Sequence, residues 1–450
     1  MKQSFIQFEF TIAVLIGIFC TSAVSRQHSE IADSVKTEFL HAWNGYKQYA
    51  WGHDALKPLS KQPHDWYDSS LYMTPVDAYD VMLLMGLSKE AAEAKQLILD
   101  SLSFSRNVEV QSFEITIRLL GGLLSAYQMD GDKRFLSLAE DLGKRLLPIY
   151  NSSTGMPYRY VHLQTGRIRD SLNNPAEIGT SLLEFGTLSK LTINPIYYEK
   201  AKNALVQLYN RRSKIGLMGT WIDVETGEWT DRTSHIGGAI DSYYEYVFKA
   251  WLLFGDKDCK AMWDEHIKAI NTYVADTVNG ELWYGQVDMD TGKRTGTSFG
   301  SLESFFPAVL CLSSDINRAE KLEESCYKMW NLYDIEPEEI DYSIMKVVDK
   351  RYFLRPEIIE SAYYLYHVTG NPKYLQMGET FFHSIVKYCR TEAGYAYLKD
   401  VTTKEQADGM ESFFFAETLK YLYLLFATKE TLPFDDVIFT TEAHPIRRSK

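Results

Sequence analysis

Apolar and aromatic positions recur along this chain with a helical period, in segments that each begin on an acidic residue. Asp77 heads TPVDAYDVMLLMGL, Glu114 heads FEITIRLLGGLLSAY, Glu177 heads PAEIGTSLLEFGTL and Asp241 heads AIDSYYEYVFKAW. Glu303 in SLESFFPAVLCL, Glu357 with Glu360 in RPEIIESAYYLY, and Glu411 in MESFFFAETLKYLYLL complete a set of seven. Successive heads lie roughly 40 to 60 residues apart, room for two helices and a connection, so each segment should hand on to a second helix of similar length. The pattern therefore predicts an all-α fold of helical hairpins. Stacked in a ring, such units gather their acidic heads at one end of a central cavity. A ring of carboxylates in a pocket is either a metal site or an acid/base machine.

One acidic head alone is explained by the helix macrodipole and the unpaired amides at a helix N-terminus. Seven in step are not, and several are followed by rings: Tyr243 and Tyr244, Tyr363 and Tyr364, Phe413 and Phe414. Sugars pack on aromatic faces and hydrogen-bond to carboxylates, so the combination suits a carbohydrate site. Between the helical segments, MPYRYVHLQTGR, GTWIDVETGEW and LWYGQVDMDTGKR each set a Thr-Gly step amid alternating apolar and polar residues. These read as short β-hairpins at one end of the ring.

Length and charge narrow the class. In 450 residues no Pro/Gly/Ser-rich linker or charge block marks a boundary, so residues 26–450 read as one toroidal domain. The net charge of −13 and the lack of a basic stripe exclude nucleic acid as a partner. The first 25 residues read as a signal peptide: Lys2, an apolar run from Thr11 to Cys20, then Ala23 and Ser25 before Arg26. That run is too short for a comfortable bilayer span, so no stable membrane anchor is expected. The protein is expected to be exported through the secretory route, to the periplasm or medium of a bacterium or the endomembrane lumen of a eukaryote. Cys259, Cys311, Cys326 and Cys389 remain after cleavage, without a C-x-x-C pair, so neither a disulfide framework nor a zinc site is expected. Asn151-Ser152-Ser153 is a glycosylation sequon.

HAWNGYKQYAWGHD over 41–54, FEITIRLLGGLLSAY, DSYYEYVFKAW, LRPEIIESAYYLYHVTGNPKY from Leu354, MESFFFAETLKYLYLLF from Met410 and TEAHP from Thr441 resemble the class I α-1,2-mannosidases, glycoside hydrolase family 47. The resemblance runs from about Glu30 to Pro445. It implies an (αα)7 barrel, a bound Ca2+, and a monomer that removes terminal α-1,2-linked mannose from high-mannose glycans with inversion at the anomeric carbon. The family's general acid matches Glu114, with Arg118 one turn on. The other two catalytic carboxylates match Asp241 and Glu357, the latter being the base that activates water. Inversion requires the acid and base to stand about 6.5–9.5 Å apart, to admit that water. Thr441 matches the family's direct protein ligand to Ca2+, through its hydroxyl and carbonyl, the rest of the oxygen shell being water and sugar hydroxyls. Glu177, Glu360, Glu417 and Glu442 match acids that hold those waters. Arg355 and Phe413 match substrate-binding positions, Phe413 lying beneath the sugar.

Two departures bear on what the resemblance implies. Ala239 stands where many endoplasmic-reticulum members carry an arginine, and Ser301 replaces a histidine near the site, as in the degradation-enhancing mannosidase-like relatives. Ser304 stands where the family often has a cysteine, which leaves Cys326 without its customary partner. The reading from another class is a weakly active or inactive, glycan-binding, lectin-like protein of that degradation-enhancing type. Retention of Glu114, Asp241, Glu357 and Thr441 favours the enzyme.

Overall fold

A computed structural model describes residues 29–448; the signal peptide expected over 1–25 lies outside them. Within these residues the chain builds an (αα)7 barrel. It opens with a long helix α1 over 29–49, followed by pairs in which an inner helix runs into an outer one. These are α2 (Met73–Leu84) with α3 (Ser88–Ser101), and α4 (Ser112–Ile115) continued by α5 (Gly121–Asp130) with α6 (Lys133–Leu146). Next come α7 (Pro175–Gly179) continued by α8 (Leu182–Thr192) with α9 (Ile196–Tyr209), and α10 (Asp241–Phe254) with α11 (Lys257–Ala269). The chain goes on through α12 (Phe306–Leu312) with α13 (Ile316–Trp330), α14 (Glu357–Thr369) with α15 (Lys373–Cys389), and a last inner helix, α16 (Lys420–Phe426). The inner ring closes: α2 packs on α5, α5 on α8, α8 on α10, α10 on α12, α12 on α14, α14 on α16, and the turn before α16 returns to α2.

The two layers differ in sequence because they differ in burial. Along α10 every residue from Ser242 to Ala250 is buried, Glu245 and Lys249 included. An outer helix such as α6 buries only a stripe, Phe135, Ala139, Leu142, Gly143 and Leu146, and turns its charges to solvent. The seventh pair corrects the sequence expectation. The Glu411 segment hands on to no second helix; its outer partner is α1, from the other end of the chain. Phe39 and Trp43 of α1 set their rings 5.3 and 6.1 Å from Phe415, and Glu38 accepts from Arg390 and Tyr395 at 2.8 and 2.7 Å.

Beyond α16 the chain forms an antiparallel hairpin instead, Val437–Phe439 paired with Pro445–Arg447. It enters the barrel at the C-terminal ends of the inner helices and carries its turn, residues 440–444, up the axis. Val437, Ile438, Phe439, Ala443 and Ile446 are all buried there. The Gly121-Gly122 pair of FEITIRLLGGLL makes room for this plug. A Cβ on Gly121 would stand 3.0 Å from the ring of His444, and one on Gly122 only 2.7 Å from Val76.

The opposite end carries the long connections and the three expected hairpins, at Tyr160–His162/Ile168–Arg169, Trp221–Asp223/Trp229–Asp231 and Gln286–Asp288/Arg294–Gly296. Each is stitched to its neighbour. The strand that leads into an acidic head pairs with the next loop's hairpin: Glu109–Gln111 with Tyr160–His162, Leu172–Asn173 with Trp221–Asp223, Thr233–Ser234 with Gln286–Asp288. Backbone pairing thus fixes the approach to Glu114, Glu177 and Asp241.

Candidate active site

Glu114 lies in the one-turn helix α4, and the chain then widens into a π-helical turn, Thr116–Leu120, before α5. A second π turn, Phe414–Leu419, precedes α16 and contains Glu417. Such turns re-aim side chains by one residue and recur at functional sites. Here they direct Arg118 and Glu417 toward the barrel axis. Arg118 donates to Glu114 from Nε at 3.0 Å and Nη2 at 2.9 Å, is paired with Glu442, and lies 3.8 Å from Asp77. Its guanidinium stands 4.9 Å from the Trp66 ring centre and 5.7 Å from that of Phe413. Arg355 holds Glu338 through Nε and Nη2 at 3.1 and 2.8 Å and flanks Phe413 from the other side at 6.0 Å.

These groups converge on one cavity of about 400 Å3 at the hairpin end of the barrel. Glu114, Glu177, Asp241 and Glu357, from four different inner helices, line it. So do Arg118, Arg355, Glu360 and Glu417, while Thr441 and Glu442 reach it from the turn of the axial hairpin. Phe413 is half-buried beside this group, between the two arginines. Three of the seven heads do not face the cavity. Asp77 is fully buried beneath it against His444 and Arg118, Glu303 turns back onto the amide of Gly300, and Glu411 accepts from the Trp66 indole at 2.8 Å.

Ser301 also departs from expectation. It is fully buried, its hydroxyl meets no partner among the described residues, and Leu302 and Phe305 face the cavity in its place. Ala239 does line the cavity, with a left-handed backbone (φ 73°) whose carbonyl accepts from Ala176. It presents only a methyl group. Cys259, Cys311, Cys326 and Cys389 are buried free thiols, with Ser304 beside Cys326.

Burial dominates the electrostatics. Removing a carboxylate from water favours its neutral form, and both Asp241 and Glu357 are pushed up to about 7 by burial, Arg355 opposing the shift in each case. Glu360 and Glu442 are pushed up to about 8 by burial, relieved partly by Lys249 and Arg118 respectively. Glu417 rises well above the carboxylate range through burial and the charges of Glu442, Glu357 and Glu360. Glu177 is the exception in its bonding. It accepts from Arg159 at 3.0 and 2.9 Å, from Gln111 at 3.0 Å and from Asn174 at 3.0 Å, and Asn174 also caps α7 by accepting from the Glu177 amide. Its acceptor positions are largely filled by protein donors.

Sequence reasoning missed several members of this assembly. Glu245 lines the cavity and is paired with Lys249, which reaches to 3.9 Å from Glu360. The signal was present: Glu245 follows Asp241 by four residues in DSYYEY, on the same helix face. The bonds of Arg159, Gln111 and Glu338 to site residues, and the Trp66 ring over Arg118, had no such local signal. Among the described residues no group of three or more His, Cys, Asp or Glu side chains is arranged to ligate a metal directly.

The family model of glycosyl hydrolase family 47 matches residues 38–448. The chain belongs to that family. It is 36% identical to alpha-mannosidase I MNS4 of Arabidopsis thaliana, over 95% of this chain and 71% of that protein. It is also 36% identical to the human ER degradation-enhancing alpha-mannosidase-like protein 2, over 97% and 83%, and 34% identical to human mannosyl-oligosaccharide 1,2-alpha-mannosidase IB, over 96% and 72%. The alpha-1,2-mannosidase from Trichoderma reesei superposes with a TM-score of 0.88 at 28% identity, covering 94% of this chain and 99% of that one. A D-mannose isomerase shares the fold alone, with a TM-score of 0.55 at 15% identity over 70% of this chain and 87% of that one.

Proposed function

We propose that this family 47 glycoside hydrolase is a calcium-dependent, inverting exo-α-1,2-mannosidase acting on terminal mannose of high-mannose glycans within the secretory route. The observation that carries the reading is the convergence of Glu114, Asp241 and Glu357 on one cavity with two arginines and Thr441. A lectin has no need of three carboxyls gathered in this way.

Inversion needs a proton donor on the leaving oxygen and an ionised carboxylate that accepts a proton from water on the opposite face. Glu357 takes the second role. Its Oε2 is buried without a partner among the described residues, free to accept from a water, and Arg355 favours its ionised form. Glu114 and Asp241 take the donor side. Glu114 is engaged by two nitrogens of Arg118, and Asp241 Oδ1 accepts from the Ser242 amide at 2.7 Å, so the two carboxyls share the leaving-group side. Arg355 and Phe413 form one wall for the sugar.

The residues suit a hydrated hard cation. Among the described residues Thr441 makes a hydrogen bond only through its N–H, which leaves its hydroxyl and carbonyl unbonded, and the buried carboxyls nearby outnumber their cations: Glu442 shares Arg118 with Glu114, and Glu360 shares Lys249 with Glu245. Calcium accepts six to eight oxygen ligands and tolerates water among them. When bound it supplies positive charge and fixed positions for sugar hydroxyls.

The mature protein incubated with α-1,2-mannobiose should release mannose in calcium and cease on chelation, reversibly. Proton NMR should find β-mannose before mutarotation. Binding of mannose glycans without any release would replace this reading by the lectin-like one.

A further inference from the structure

The turn 440–444 is fastened at almost every residue. His444 bridges Asp80 and Asp77 at 2.8 and 3.2 Å, the Ala443 carbonyl accepts from Lys420 at 2.6 Å, and Glu442 is paired with Arg118. Thr441 is held differently. Thr441 lines the cavity, its hydroxyl and carbonyl make no hydrogen bond among the described residues, and its N–H donates to the phenol oxygen of Tyr246 at 3.1 Å. That phenol in turn donates to Glu184 at 2.6 Å. Tyr246 and Glu184 are both fully buried, belong to adjacent inner helices, α10 and α8, and do not line the cavity. A phenol can accept one bond and donate one, and here both are used in series, so the rotation of the hydroxyl is set by Glu184 and its lone pair is aimed at Thr441.

We propose that Tyr246, oriented by Glu184, is a positioning residue that fixes the Thr441 backbone and so presents the threonine hydroxyl and carbonyl to a hard divalent cation. The inference rests on the calcium reading above. A site with one protein residue in direct contact cannot average out an error in that residue's orientation, so it depends on the groups that hold it. Tyr246 fixes Thr441 from its N–H side, and the Arg118–Glu442 pair fixes it from its carbonyl side.

The test is cation affinity, measured by calorimetry with calcium and by luminescence of bound terbium, on the full-length mature protein. Tyr246→Phe keeps the ring and removes the acceptor, and should weaken affinity about tenfold, while saturating calcium restores kcat. Glu184→Gln keeps an oxygen acceptor and should retain affinity, whereas Glu184→Leu should reproduce the loss. Tyr244→Phe, an equally buried phenol on the same helix without a bond to Thr441, should leave affinity unchanged even where it lowers Tm. Equal affinity of Tyr246→Phe and the parent would overturn the proposal, as would a loss that Tyr244→Phe matches. If the parent protein binds neither ion, the calcium reading itself fails, which is a distinct result.

Discussion

The two ends of the barrel put the same residue type to opposite uses. At the closed end, inner helices pass to outer ones through turns of a few residues. Gly131, Gly255 and Gly370 take left-handed conformations there (φ 85°, 69° and 68°), and the side chains of Asp132 and Asp256 accept from backbone amides two and three residues on. Those aspartates cap their helices and pair with basic neighbours, Asp132 with Lys95 and Arg134, Asp256 with Lys202. At the open end the residues at the capping positions of α2, α4, α10 and α14 make no side-chain bond to the first-turn amides. The acids just inside three of these helices, Glu114, Asp241 and Glu357, face a cavity instead. The acids that follow these glycine turns are thus held by the backbone, whereas three that follow long, strand-stitched loops stand on the cavity wall.

The sharpest way to break this contrast is Glu357→Gln. Turnover on α-1,2-mannobiose should fall by roughly two or more orders of magnitude, with Tm unchanged or raised, because the lost carboxyl is buried with an oxygen that has no partner among the described residues. A large fall in Tm would make Glu357 a structural residue like the closed-end caps.

A second effect is global and depends on pH. Asp241 and Glu357 titrate near 7 in the fold, and Glu184, Glu360 and Glu442 near 8, all raised by burial. The unfolded chain releases these protons near pH 4. Between about pH 4 and 8 the folded state binds more protons, so stability contributed by these groups is complete below pH 4 and is lost as pH rises through 7 to 8. Tm of the chelated protein should fall from pH 5 to 8, and calcium should flatten that slope. A flat profile under chelation would show the open-end acids to be as well compensated as the caps.

The smallest effects belong to the closed end. Gly370→Ala meets no atom within 4 Å but forces a Cβ onto a left-handed backbone, and should cost about 1 kcal/mol of stability without touching kcat. Ile193 holds the equivalent conformation (φ 55°) with its side chain almost fully exposed, so Ile193→Gly should gain a comparable amount in urea unfolding. Loss of activity in either would couple the two ends in a way the separation between them does not suggest.

Much of this is legible in the chain. The helical period, the spacing of the heads and the Thr-Gly steps lead to the ring and its hairpins, because each depends on a few neighbouring residues. Resemblance supplies what period cannot: Thr441, Glu417 and Glu442, which sit outside any acidic-head pattern. The departures have physical causes. Asp77 and Glu303 share the local signature of the cavity acids, yet their side chains turn into the wall, toward His444 and the Gly300 amide. Glu177 meets Arg159 and Gln111 through folds of the loops that no local rule anticipates. The last pair escapes the periodic pattern because its halves lie at opposite ends of the sequence.

That split pair has a consequence for how the protein is made. The contacts of Phe39 and Trp43 with Phe415, and of Glu38 with Arg390 and Tyr395, cannot form until those residues have emerged, more than 350 residues later. At about 5–20 residues per second of synthesis, that is a wait of roughly 20 to 80 s. For that interval the nascent chain is an open arc with an apolar leading edge, and the final inner helix is the clasp that covers it.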